Sequence, residues 1–249
     1  MLDVSIGVKS PFVIFFPERS GSTMLVHLLN SHPEITCEHE LFPTVSSGDG
    51  KGQLPVHDQE SEKIQKLETV YSRQGTIASG FKFKFQGQYE AYPDVSRFFL
   101  RHANCMKMIF LYRENLLKMA VSRQNLVRLK EMGEEHFLES SSDRELGKIE
   151  LNLEEARNYI RLQSRNLKFF RRLSHIFEHR MGVSYEQLCT HPRKTLRKIC
   201  RFLGVAEWEG KPEAPIRKIT SDNLEQAIAN YGELVDYFRQ TRFASFLEA

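Results

Sequence analysis

Residues 11–35 read "PFVIFFPERSGSTMLVHLLNSHPEI", and their order sets the fold class. An apolar run from Phe12 to Phe16 stops at Pro17. Arg19 and the small cluster Ser20-Gly21-Ser22-Thr23 follow, and a helical apolar pattern then begins with Met24, Leu25, Leu28 and Leu29. Strand, small-residue loop and helix in this order build an anion cradle, because loop amides and a helix N-terminus point at one spot and favour negative charge there. Read locally, the same cluster is only a turn with a helix cap. The apolar strand and the arginine in front of it favour the cradle.

Outward from this stretch, strands alternate with helices. "FKFKF", residues 81–85, has a period of two and reads as a strand. Its two lysines, Lys82 and Lys84, fall on one face, which reads as solvated. The run from Met106 to Tyr112 reads as a buried parallel strand ending at Arg113. Helices are expected over "LLKMAVSRQNLVRLK", over residues 151–173 with Leu153, Ala156, Ile160, Leu167 and Phe170 inward, and over "HPRKTLRKICRFLGV" with Leu196, Ile199, Cys200 and Leu203 inward and Gly204 as its stop. "MGVSYEQL" reads as a short strand and a turn. "SDNLEQAIANYGELVDYF" reads as a last long helix capped by Ser221 or Asp222. This alternation implies an α/β fold, a central parallel sheet flanked by helices. The polar segments 46–53 and 131–147 are the candidates for substrate lids.

The 249 residues show no repeat and no dividing linker, so a single domain over 1–249 is expected. The balance of 35 basic against 32 acidic residues gives +3, too even to indicate nucleic acid by itself. Four cysteines, Cys37, Cys105, Cys189 and Cys200, have no zinc-site spacing and read as reduced thiols. No apolar run approaches the roughly 18–20 residues of a membrane span. With no signal-peptide pattern at the N-terminus, a cytoplasmic protein is expected.

The loop is not the phosphate loop of nucleotide hydrolases, which reads GxxxxGK[ST]. The second strand also delivers Arg113 where such enzymes place an acid that holds magnesium. Cations and hydroxyls without that acid suit direct binding of an anion.

These residues resemble the PAPS-dependent sulfotransferases, in the branch acting on carbohydrates and other small hydroxylated acceptors; PAPS is 3′-phosphoadenosine 5′-phosphosulfate. The first stretch is similar to that family's 5′-phosphosulfate loop. Arg113 and Ser122 in "YRENLLKMAVS" match its 3′-phosphate motif, with one residue more between them than the commonest form. "VSYEQLCTHPRKTLRKICRFLGV" and "IRKITSDNLEQAIANYGELV" resemble later segments. The resemblance implies a P-loop-like sulfotransferase fold, with PAPS as donor, PAP as product and no metal. It implies a donor site of Arg19, Ser20, Gly21, Ser22, Thr23, Arg113, Ser122, Tyr185, Arg217 and Lys218, with Arg19 also catalytic. It further implies a glutamate base at Glu40 in "CEHELFP", where Glu38 and His39 are rivals. A metal held by the Glu38-His39-Glu40 string is disfavoured, because three adjacent ligands rarely reach tetrahedral geometry. The acceptor would be a hydroxylated small molecule or carbohydrate. The competing readings are a nucleotide kinase or NTPase of related architecture, and an inactive nucleotide-binding module.

Overall fold

A computed structural model describes residues 2, 4–42, 45–46, 52–53, 60–84, 88–89, 91–133, 147–207, 210 and 223–247. The chain forms two compact units, Met1–Tyr112 with Phe170–Ala214 and Arg113–Phe169 with Pro215–Ala249.

The first unit is built on five parallel strands: β1 (Ser10–Phe16), β2 (Ile35–Glu38), β5 (Ala78–Lys84), β6 (Lys107–Tyr112) and β7 (Arg180–Ser184). Their order is β2-β5-β1-β6-β7, so the first strand is central. Strands that follow it early lie on one side and later ones on the other. The loop after β1 therefore sits where the strand order reverses, the usual place for a ligand in an open α/β sheet. A short antiparallel pair, β3 (Val45–Ser46) and β4 (Gly52–Gln53), holds the described part of segment 46–53. Most of segment 131–147 lies outside the described residues.

Each sheet face has its own core. Phe12, Ile14 and Phe16 pack with Ile109, Leu111 and Val183 under α1 (Ser22–Asn30), α6 (Tyr185–Thr190) and α7 (Pro192–Leu203). The other face is aromatic. Phe15 meets Phe83, Phe99 and Phe177 edge-on, and Phe42 meets Phe81 and Phe83. Such pairs each add about 0.5–1.5 kcal/mol beyond burial. Helices α2 (Glu60–Tyr71) and α3 (Pro93–Arg101) supply Tyr71, Phe98 and Phe99 to this cluster. Gly204 ends α7 as expected, in the left-handed conformation at φ 74.

The segment "YEQL" is a helix rather than a turn. Ser184 accepts from the Gln187 amide and Gln187 returns the bond, a capping box that starts α6.

The second unit packs α4 (Leu116–Glu131) against α5 (Leu153–Ser174) up to Phe169, with α8 (Leu224–Ala227), α9 (Tyr231–Arg239) and the turn Ala244–Phe246. Ala156 and Ile160 are buried in its core, and Leu153 and Leu167 pack against it. The expected last long helix is two helices. Asn223 caps the first, while Ser221 and Asp222 lie outside the described residues. The break comes where Ile228 bridges Ile149, with the Ala229 amide donating to the Ile149 carbonyl at 2.7 Å. A backbone pairing there overrides helix propensity.

Candidate active site

The cradle is a loop with two left-handed residues. Arg19 has φ 60 and Gly21 has φ 85, with Ser20 between them outside that region. Alternation of this kind turns successive amides to one side as an anion-binding nest. A non-glycine residue held at positive φ costs on the order of 1–3 kcal/mol and persists only where surroundings enforce it. Next to it Ser20 pins the loop: it is fully buried and its hydroxyl donates to the Pro17 carbonyl at 2.8 Å.

Gly21 opens α1, and no side chain caps that helix. The first-turn amides, from Ser22 onward, thus have no carbonyl or capping partner inside the helix. Gly21 is also required by a neighbour, because a Cβ there would stand 2.5 Å from Cδ2 of Tyr185. The Tyr185 ring therefore lies directly against the cradle.

The register brings a third strand to the same place. Phe16 at the end of β1 is level with Lys84, and Ile14 with Lys82. Lys82 is only 6% exposed, so the solvated face expected for it is wrong. Strand β5 lies between β2 and β1, and both faces of such a strand are covered. The Lys82 ammonium donates to Thr23 Oγ1 at 3.2 Å, stands 3.6 Å from Glu40 Oε1, and lies 5.4 Å from the Phe16 ring centroid. Burial lowers its pKa below the ordinary lysine range, and the Glu40 carboxylate opposes that shift. Lys84 is half-buried and pairs with Glu18 at 3.4 Å.

The three acidic-loop candidates separate. Glu38 is engaged by Arg73 at 2.7 Å. His39 faces the His27 ring at 5.7 Å between centroids. Burial first, then the charges of Lys82 and His27, push its pKa down. Glu40 carries Lys82 on one oxygen and accepts from the Gln88 amide at 3.2 Å on the other, with 31% of its side chain still exposed. Gln88 is fully buried and also donates to the Phe42 carbonyl, which fixes the amide that holds Glu40.

The first unit thus brings together Arg19, Ser20, Gly21, Ser22, Thr23, Tyr185 and Glu40, and adds Lys82, which the sequence alone places on a solvated face. Arg113, directly after β6, is buried and begins the second unit, where Ser122 lies partly buried on α4. Arg217 and Lys218 lie outside the described residues. Among the described residues no three His, Cys, Asp or Glu side chains gather as a metal site, and no helix is long and apolar enough to cross a membrane. All four cysteines are free thiols, Cys37 and Cys200 buried and Cys105 exposed.

Residues 9–242 match the family described as the sulfotransferase domain. Nodulation protein H of Rhizobium tropici is 25% identical over 251 residues, spanning 98% of this chain and 95% of that protein. A sulfotransferase from Alicyclobacillus acidocaldarius, known from its crystal structure, shares the fold at a TM-score of 0.51 and 19% identity, over 97% of this chain and 95% of that one. The family match spans nearly the whole chain, and with it the cradle, its lysine and the acidic loop: the chain belongs to the sulfotransferase family.

Proposed function

We propose that this protein transfers a sulfuryl group from PAPS to a hydroxyl of a small-molecule or carbohydrate acceptor, without a metal and with Glu40 as general base, and that the whole chain works as one sulfotransferase domain. The observation that carries the reading is the row Thr23–Lys82–Glu40, which joins the anion cradle to a partly exposed carboxylate. The donor set fits a phosphosulfate: amides, hydroxyls, Arg19 and Lys82 all donate, and no residue from Arg19 to Thr23 is acidic.

Bound there, PAPS would supply the sulfuryl group, whose bond to the 5′-phosphate oxygen breaks as the acceptor oxygen bonds to sulfur. The cradle amides and Arg19 stabilise negative charge on the leaving phosphate. Fixed donors in a water-poor site do this without reorganisation and need no metal. Lys82 adds a buried cation within reach of the same loop. Glu40 takes the acceptor's proton, since Glu38 is committed to Arg73. Arg113 and Ser122 are assigned to the 3′-phosphate on the strength of their motif, as are Arg217 and Lys218 to the closing loop. Four free thiols accord with a cytoplasmic setting.

The test is incubation with PAPS and a library of hydroxylated metabolites, read by mass spectrometry for a sulfate adduct, with and without chelator. Transfer that survives chelation supports the reading. A magnesium-reversible loss points instead to a kinase-like enzyme, and nucleotide binding without turnover across the library points to an inactive module.

A further inference from the structure

Net charge conceals a local concentration. Between Arg157 and Arg172 the sequence has six basic residues, Arg157, Arg161, Arg165, Lys168, Arg171 and Arg172, and no acidic one. Within the second unit, Arg157, Arg161 and Arg165 recur every four residues along α5 and share one face. Arg161 and Arg165 line a groove of about 560 Å³ together with Asn158, Leu162 and Arg242. Arg242 reaches it from the C-terminal segment, with its guanidinium 4.9 Å from the Phe243 ring centroid. Among the described residues, no carboxylate pairs with Arg161, Arg165, Lys168 or Arg242. Elsewhere on this unit arginine does find an acid, as Arg123 does in Glu155 at 2.9 Å.

Two large apolar side chains stand among these cations. Leu162, in the groove, is 42% exposed, and Phe169, one helical turn beyond Arg165, is 47% exposed. A soluble polyanion is served by the arginines alone and gains nothing from an exposed leucine and phenylalanine beside them. A membrane surface uses both, because lipid phosphates take the cations while apolar side chains enter the boundary between headgroups and acyl chains.

We propose that this face of α5 docks the protein on an anionic lipid surface, with Arg161, Arg165 and Arg242 on lipid phosphates and Leu162 and Phe169 inserted beside them. The inference is independent of the donor and base assigned above. It describes peripheral attachment, with no crossing of the bilayer.

The experiment is co-sedimentation of the full chain with vesicles of phosphatidylcholine alone and of phosphatidylcholine with phosphatidylglycerol. Binding is expected to the anionic vesicles only and to weaken with added salt. The variant Arg161→Gln/Arg165→Gln/Arg242→Gln should lower partitioning by about 10²-fold, from roughly one Lys/Arg increment per site. Leu162→Ser/Phe169→Ser should lower it too, and should make the remaining binding more sensitive to salt. All five side chains are solvent-exposed, so circular dichroism should be unchanged in both variants. Equal binding to both vesicle types, or a triple variant that binds like wild type, overturns the proposal. So does a result in which Leu162→Ser/Phe169→Ser binds like wild type while soluble polyphosphate displaces the protein completely, which would identify the ligand as a soluble polyanion.

Discussion

Lys82 and Glu40 form a pair 3.6 Å apart in which the cation is the buried partner and the carboxylate the partly exposed one. That asymmetry determines what each can do. The lysine cannot leave, because it is enclosed by the Phe16 ring, Thr23 and the sheet. The carboxylate keeps a face toward solvent, as the role proposed for it requires.

Replacement of Lys82 by methionine should separate stability from turnover. Burial depresses the lysine pKa, so the folded state binds this proton less tightly than the unfolded chain does. At every pH below the ordinary lysine pKa, the group therefore works against folding. Methionine removes that cost and fits the same space, and Glu40, being partly exposed, tolerates loss of its partner. Lys82→Met should melt at or above the wild-type Tm while sulfuryl transfer falls about 10²–10³-fold, the scale of losing one preorganised donor. A variant with normal kcat would remove Lys82 from the site.

Gly21→Ala tests the cradle's geometry. The left-handed backbone at φ 85 should cost about 1–2 kcal/mol once a Cβ is present. The clash with Tyr185 should add about 1–3 kcal/mol of overpacking. A lowered denaturation midpoint and weaker binding of adenosine 3′,5′-bisphosphate are expected. Adding Tyr185→Ala should recover part of the stability, since it removes the ring that the new methyl meets. A double variant no better than the sum of the singles would show that the ring contact contributes little.

The cradle was legible because its signals are local: an apolar run, a proline, small residues, then helical spacing. Lys82 was not, because alternation in "FKFKF" has the same period whether the strand is half-exposed or interior. Only the order β2-β5-β1, a long-range property, shows that this strand is covered on both faces. The C-terminal helix failed for a related reason. Nothing near Ile228 in sequence announces that its backbone pairs with Ile149, which lies far back in the chain. Tyr185 could have been placed in a helix from its own neighbours, since Ser184 and Gln187 have the spacing of a capping box.

Arg113→Ala should act on the nucleotide's 3′-phosphate rather than on turnover. Charge-assisted hydrogen bonds are worth about 1.5–3 kcal/mol, or roughly 10–10²-fold in affinity. Titration with adenosine 3′,5′-bisphosphate and with adenosine 5′-phosphate distinguishes the two phosphates. The variant should lose affinity for the first and keep it for the second. If the preference for the 3′-phosphate survives, Arg113 has another task.

Glu40→Gln keeps the shape of the side chain and, through its one carbonyl oxygen, the bond with Gln88; it gives up the acceptor facing Lys82 and can no longer take a proton. General-base catalysis contributes about 10²–10⁴-fold, so kcat should fall on that scale while nucleotide affinity holds. Glu38→Gln should lose far less, since its carboxylate serves Arg73. His39→Asn should also lose little turnover but should change the response to acid. His39 has its pKa lowered in the folded protein, so the unfolded chain takes up its proton first as pH falls below about 6.5. Native stability is therefore full above that pH and declines below it, and asparagine should remove that part of the decline. The measurements are kcat on one acceptor for all three variants, nucleotide affinity alongside, and Tm between about pH 7.5 and 5, which spans the ordinary histidine range. Near-normal kcat in Glu40→Gln with collapse in His39→Asn would move the base to the histidine, and collapse in Glu38→Gln would move it to the other carboxylate.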